Sequence, residues 1–112
     1  MCAKFLLASE KQGIAMSIFR NIVLNFKSQD DCENYITRYK EYIPTFKGQG
    51  LEKLVICRLT PDSILVFTVI DSEENARKMI EKATEWRELN RFEFQDQMVL
   101  DGSVEGEWDF TK

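Results

Sequence analysis

The sequence predicts an α+β fold, an antiparallel four-stranded sheet backed by two helices in the order β-α-β-β-α-β. Three observations carry that expectation: a strand-like alternating segment runs straight into a capped helix with one apolar stripe, two runs apolar on both faces follow on either side of a tight turn, and a second striped helix precedes a last alternating segment. The 112 residues are enough for one domain. At that size folding hides roughly two-thirds of the unfolded surface, which supports a core without crosslinks. Residues 16–112 are expected to form that domain, with residues 1–15 as an N-terminal extension of no clear periodicity.

The first strand is placed at 19–26, where Ile22, Leu24 and Phe26 alternate with Asn21, Val23 and Asn25. Ser28 then offers an N-cap, with Asp30 and Asp31 beside the positive end of the helix dipole. Cys32, Tyr35, Ile36, Tyr39 and Ile43 recur at three- and four-residue spacing until Pro44, which predicts a helix over 29–43. A second strand is expected over 51–59 and a third over 64–70. The residues of a type I turn, Thr60, Pro61, Asp62 and Ser63, make the pair an antiparallel hairpin. Both strands are apolar on both sides, the pattern of a sheet covered twice. The chain's own helices can cover one side, and a second copy of the protein is the cheapest cover for the other.

Ser72 caps the second helix, expected over 73–88, whose apolar stripe is Ala76, Met79, Ile80, Ala83 and Trp86. The segment 91–100 is ambiguous. Phe92 and Phe94 could open a strand, but Phe92, Gln95 and Val99, with Phe94 and Met98, fall at helical offsets, which favours a short further helix. The final strand is then expected over 103–110, where Val104, Gly106, Trp108 and Phe110 alternate with Glu105, Glu107 and Asp109. The whole pattern is ferredoxin-like.

Composition narrows the chemistry. The chain has no histidine, which removes the commonest general base and imidazole metal ligand. Cys2, Cys32 and Cys57 form no CxxC pair, and reduced, mostly buried thiols in a cytoplasmic protein are expected. Glu105, Glu107 and Asp109 sit about 6.5 Å apart along a strand, too far for one compact metal site. No metal and no cofactor is expected. The net charge is −4, and no cationic cluster suited to phosphates stands out, so nucleic acid is a poor partner. No apolar run is long enough to span a membrane.

Some residues admit two readings. Tyr35 and Tyr39, one turn apart, either line a cavity with their hydroxyls or pack in the core with hydroxyls reaching the surface. Arg58 shares parity with Leu54 and Ile56, so it ends at the sheet rim or turns its cation into a pocket mouth. Trp108, with Phe110 on the same face, suits the centre of a dimer interface.

The element order, the junction Val69, Ile70, Asp71, Ser72, Glu73, Glu74, Asn75, Ala76, the tryptophan Trp86 and the acidic closing segment resemble the antibiotic-biosynthesis monooxygenase-like family. The resemblance covers about residues 16–110. It implies a homodimeric α/β barrel, two sheets facing each other across a two-fold axis. It also implies a cofactor-independent monooxygenase-like protein acting on a small aromatic or quinol-like molecule, or a non-catalytic ligand-binding or structural dimer of the same fold. Haem-degrading members bind iron through a histidine, which this chain lacks. Oxygenase members place an asparagine, a tryptophan and a histidine or arginine around a pocket between sheet and helices. The resemblance implies Asn25 (or Asn21) and Trp86 as the matching catalytic positions. Asn21, Tyr35, Tyr39 and Arg58 are the candidate substrate contacts. With no histidine, proton abstraction from a phenol falls to a carboxylate or to the substrate itself.

Overall fold

A computed structural model describes residues 17–111. The first strand, β1 (Ile18–Asn25), leads into helix α1 (Gln29–Tyr42). Ser28 is the N-cap, its Oγ accepting from the Asp31 backbone N–H at 3.1 Å. Pro44 ends α1 by carrying the chain into one 3₁₀ turn, Ile43–Phe46, whose Phe46 is buried.

Strands β2 (Leu51–Thr60) and β3 (Ser63–Ile70) form the expected hairpin, joined by Pro61 and Asp62. Helix α2 (Glu73–Leu89) is capped by Ser72, whose Oγ accepts from the Asn75 backbone N–H at 3.1 Å. The junction before it depends on Gly50. With φ +93°, that residue gives its carbonyl to the Asp71 N–H at 2.9 Å, and a Cβ there would stand 2.6 Å from Asp71 Oδ1.

The last strand corrects the sequence reading. Strand β4 is Asp96–Ser103, where a helix had been expected, and 104–111 contains no strand. The sheet order β2-β3-β1-β4 explains why. β1 is bonded on one side by β3 and on the other by β4, so the alternating tail finds no free edge there. The alternation within β4 is faint because Met98, Val99 and Leu100 are all exposed, as befits an edge strand covered on neither side.

All pairings are antiparallel, and both helices lie on one face. Leu24, Phe26, Ile64 and Val66 point to that face and pack with Cys32, Tyr35 and Tyr39. Phe46, Ile70, Ala76 and Met79 form a second cluster at the other end. An aromatic seam joins the helices: the rings of Tyr42 and Trp86 stack at 4.7 Å with 9° between planes, and Tyr35 meets Phe92 edge-on at 4.9 Å.

Among the described residues the other sheet face carries no helix. By strand alternation it presents Phe19, Asn21, Val23 and Asn25 from β1, Val55 and Cys57 from β2, Leu65 and Phe67 from β3, and Met98 and Leu100 from β4. Met98 and Leu100 are 56% and 54% exposed. Cys57 is exposed too, so of the two thiols described only Cys32 is the buried one expected. Among the described residues no helix is long and apolar enough to cross a membrane. The expected extension, residues 1–15, lies outside the described residues.

Candidate functional site

Between the helix-bearing face of the sheet and α2 lies a cavity of about 40 Å³. Its floor is built by alternation: Arg20, Ile22 and Leu24 come from β1, and Val66, Thr68 and Ile70 from β3. Its roof is built by helical periodicity. Tyr35 and Tyr39 stand one turn apart on α1, while Ala76, Met79, Ile80, Ala83 and Arg87 follow one stripe of α2. The small alanines of that stripe hold the helix backbone near the sheet without filling the space beneath it.

The lining is apolar except for two phenols, one threonine and two arginines. Although the chain is acidic overall, no carboxylate among the described residues lines the cavity. Arg20 Nη1 binds Asp101 Oδ2 of β4 at 3.1 Å, and the Arg20 carbonyl accepts from Thr68 Oγ1 at 3.0 Å. Arg20 Nε is buried and has no hydrogen-bond partner among the described residues. Burial pushes the Tyr35 and Tyr39 phenols above the ordinary value of 10.0, and the Arg87 charge beside them offsets this only in part. Both are therefore neutral at physiological pH and act as donors or acceptors, not as bases.

Arg20, Ala76 and Ile80 also line a second hollow, an outer groove of about 390 Å³ between the start of α2 and the end of β4. Arg77, Glu73 and Asp101 border it. Inner cavity and outer groove thus abut across Arg20.

The structure brings only some of the sequence candidates together. Tyr35 and Tyr39 line the cavity. Trp86 does not; it is locked in the seam between helices, stacked on Tyr42. Asn25 projects from the opposite sheet face, where its Nδ2 donates to Asp96 Oδ1, so within one protomer Asn25 and Trp86 do not converge. Strand alternation is the cause: Leu24 and Phe26 point to the helices, which sends Asn25 the other way. Asn21 shares that opposite face and lines a groove with Phe19, Phe67 and Trp108. Arg58 takes the rim position, paired with Glu33 of α1 and donating to the Pro61 carbonyl at 3.3 Å. Trp108 and Phe110 lie beyond the last strand, 77% and 93% exposed.

Sequence reasoning missed Arg20 and Arg87. Both were marked by register. Arg20 has the parity of Ile22 and Leu24, and Arg87 lies four residues past Ala83 on the α2 stripe. A cation on the apolar side of its own element was the available signal.

No family model and no curated protein matches the sequence. Solved structures do match. A dimeric ferredoxin-like protein from an uncultured marine organism is 18% identical, with 84% of this chain and 92% of that one covered and a TM-score of 0.66. A monooxygenase from Streptomyces coelicolor, solved with nanaomycin D, is 12% identical over 83% of this chain and 91% of its own, with a TM-score of 0.62. A cofactor-independent oxygenase from Streptomyces nogalater is 13% identical over 88% and 100%, with a TM-score of 0.53. The chain has the ferredoxin-like fold that antibiotic-biosynthesis monooxygenases share. At these identities the likeness is one of fold.

Proposed function

We propose that this chain is the subunit of a homodimeric small-molecule-binding protein, its ligand held between sheet and helices and its second copy laid on the bare sheet face. The cavity carries this reading: apolar walls enclose two cations and two neutral phenols, the composition of a site that orients a mostly apolar molecule by a few polar atoms. Among the described residues the lining offers no carboxylate, thiol or imidazole to take a proton. Binding is thus better supported than base catalysis. The homodimer is supported by the unbacked apolar side chains of Val55, Met98 and Leu100, and by the dimeric protein of like fold. Trp108 and Phe110, too exposed to serve a core, are side chains such a partner would cover.

The test is calorimetric titration with a panel of small aromatic molecules, using wild type and Ala83→Leu, which fills the space under α2. Binding by wild type and its loss in the variant are expected. Equal binding by both would place the ligand elsewhere.

A second reading, cofactor-independent oxygenation of a small aromatic or quinol-like molecule, is favoured by the oxygenases of like fold. A substrate that arrives already ionised needs no protein base, and Arg20 and Arg87 are placed to hold its charge. Oxygen uptake with hydroquinones decides it. This reading expects a rate that falls in Arg20→Met and not in Asn25→Ala, and no uptake by wild type would end it.

A further inference from the structure

We propose that Arg20 makes the cavity selective for an organic acid, an apolar body entering beneath α2 with its carboxylate stopping at the guanidinium. The proposal rests on the small-molecule reading above and deepens it. Arg20 stands where cavity and groove meet, so a molecule entering apolar end first leaves its polar end at this residue.

The guanidinium is already half used. Nη1 is spent on Asp101, whereas Nε is buried without a partner among the described residues. A buried donor left unpaired is costly, and such a group in a native structure calls for an explanation. The edge formed by Nε and Nη2 is one that grips a carboxylate with two parallel hydrogen bonds, a geometry lysine lacks. Charge agrees. Among the described residues, Arg20 and Arg87 are the charged side chains of the cavity lining, and no acid opposes them there. The Asp101 carboxylate that does face Arg20 is half exposed and approaches from the groove side, where it competes with a ligand for the guanidinium.

Size sets a condition. At about 40 Å³ the cavity holds roughly three waters, so a ring or chain enters by displacing a wall. Met79, unbranched and adaptable, is the lining residue best able to move.

The experiment compares two probes of nearly equal shape, 2-naphthoate and the neutral 2-naphthalenemethanol, by calorimetry on the full chain. Wild type is expected to prefer the acid by about tenfold, the worth of one charge-assisted pair. Arg20→Met is expected to bring the two affinities together, and Arg20→Lys to restore the preference only in part. Asp101→Asn frees the guanidinium from its internal partner and is expected to strengthen naphthoate binding. Equal affinities of wild type for the two probes overturn the proposal and leave the small-molecule reading intact. Binding of neither probe counts against both. Loss of the preference in Asp101→Asn as complete as in Arg20→Met overturns it as well, because Arg20 would then matter through the fold alone.

Discussion

Gly50 is the residue whose replacement should be felt most for its size. Its φ of +93° is a region that L side chains rarely adopt, and Asp71 and Asn75 crowd the place of a Cβ. Gly50→Ala is expected to cost about 1–3 kcal/mol, read as a lower denaturation midpoint. Arg91 shows the converse, a side chain at φ 57° in the turn after α2. Arg91→Gly is expected to stabilise the protein by about 1 kcal/mol, measured the same way. Tyr39 supplies a pH dependence. Its phenol titrates higher in the folded chain than the ordinary 10.0, so above pH 10 the unfolded chain loses protons that the folded one keeps, and stability falls as pH rises. Melting temperatures from pH 8 to 12 should decline above pH 10, and less steeply in Tyr39→Phe.

At the scale of elements, the aromatic seam between α1 and α2 and the edge strand β4 behave differently. Trp86 contacts Tyr35, Tyr39, Tyr42 and Phe92, so Trp86→Ala is expected to cost about 3 kcal/mol in urea unfolding. Residues 104–111 are tied to the body of the domain by surface contacts: the Val104 N–H to Ser17 carbonyl bond at 2.9 Å, the exposed Lys53–Glu107 ion pair, and Trp108 in the open groove with Phe19 and Phe67. A chain ending at Ser103 should therefore keep the circular dichroism of the whole protein. Loss of strand signal on that truncation would mean the tail belongs to the sheet after all. The helices and the hairpin were legible in sequence because caps, stripes and turn residues are local. Strand β4 was not, since an edge strand with both faces exposed has no burial pattern to print on its residues.

For the whole molecule, the bare sheet face is the feature to test. Met98 and Leu100 stand exposed on it, beside the half-buried Phe67. If a second copy covers this face, Phe67→Glu or Leu100→Lys should convert a sedimenting dimer to a folded monomer, and a wild-type monomer at micromolar concentration would remove the dimer from the proposed function. The cavity lies on the other side of the sheet, formed from elements of a single protomer. The monomeric variant should therefore keep its ligand.

By itself the sequence determined the two capped helices, the β-hairpin and an apolar surface larger than two helices can cover. These are set by contacts within a few residues, or by parity that any pleated strand must obey. Only the tertiary structure decided which segment pairs with β1 and that Asn25 points away from Trp86. It alone assembled Arg20, Arg87, Tyr35 and Tyr39 around one cavity. Those four come from three elements, and their meeting depends on the sheet order and on how far α2 stands from the sheet, neither of which is written in any one segment.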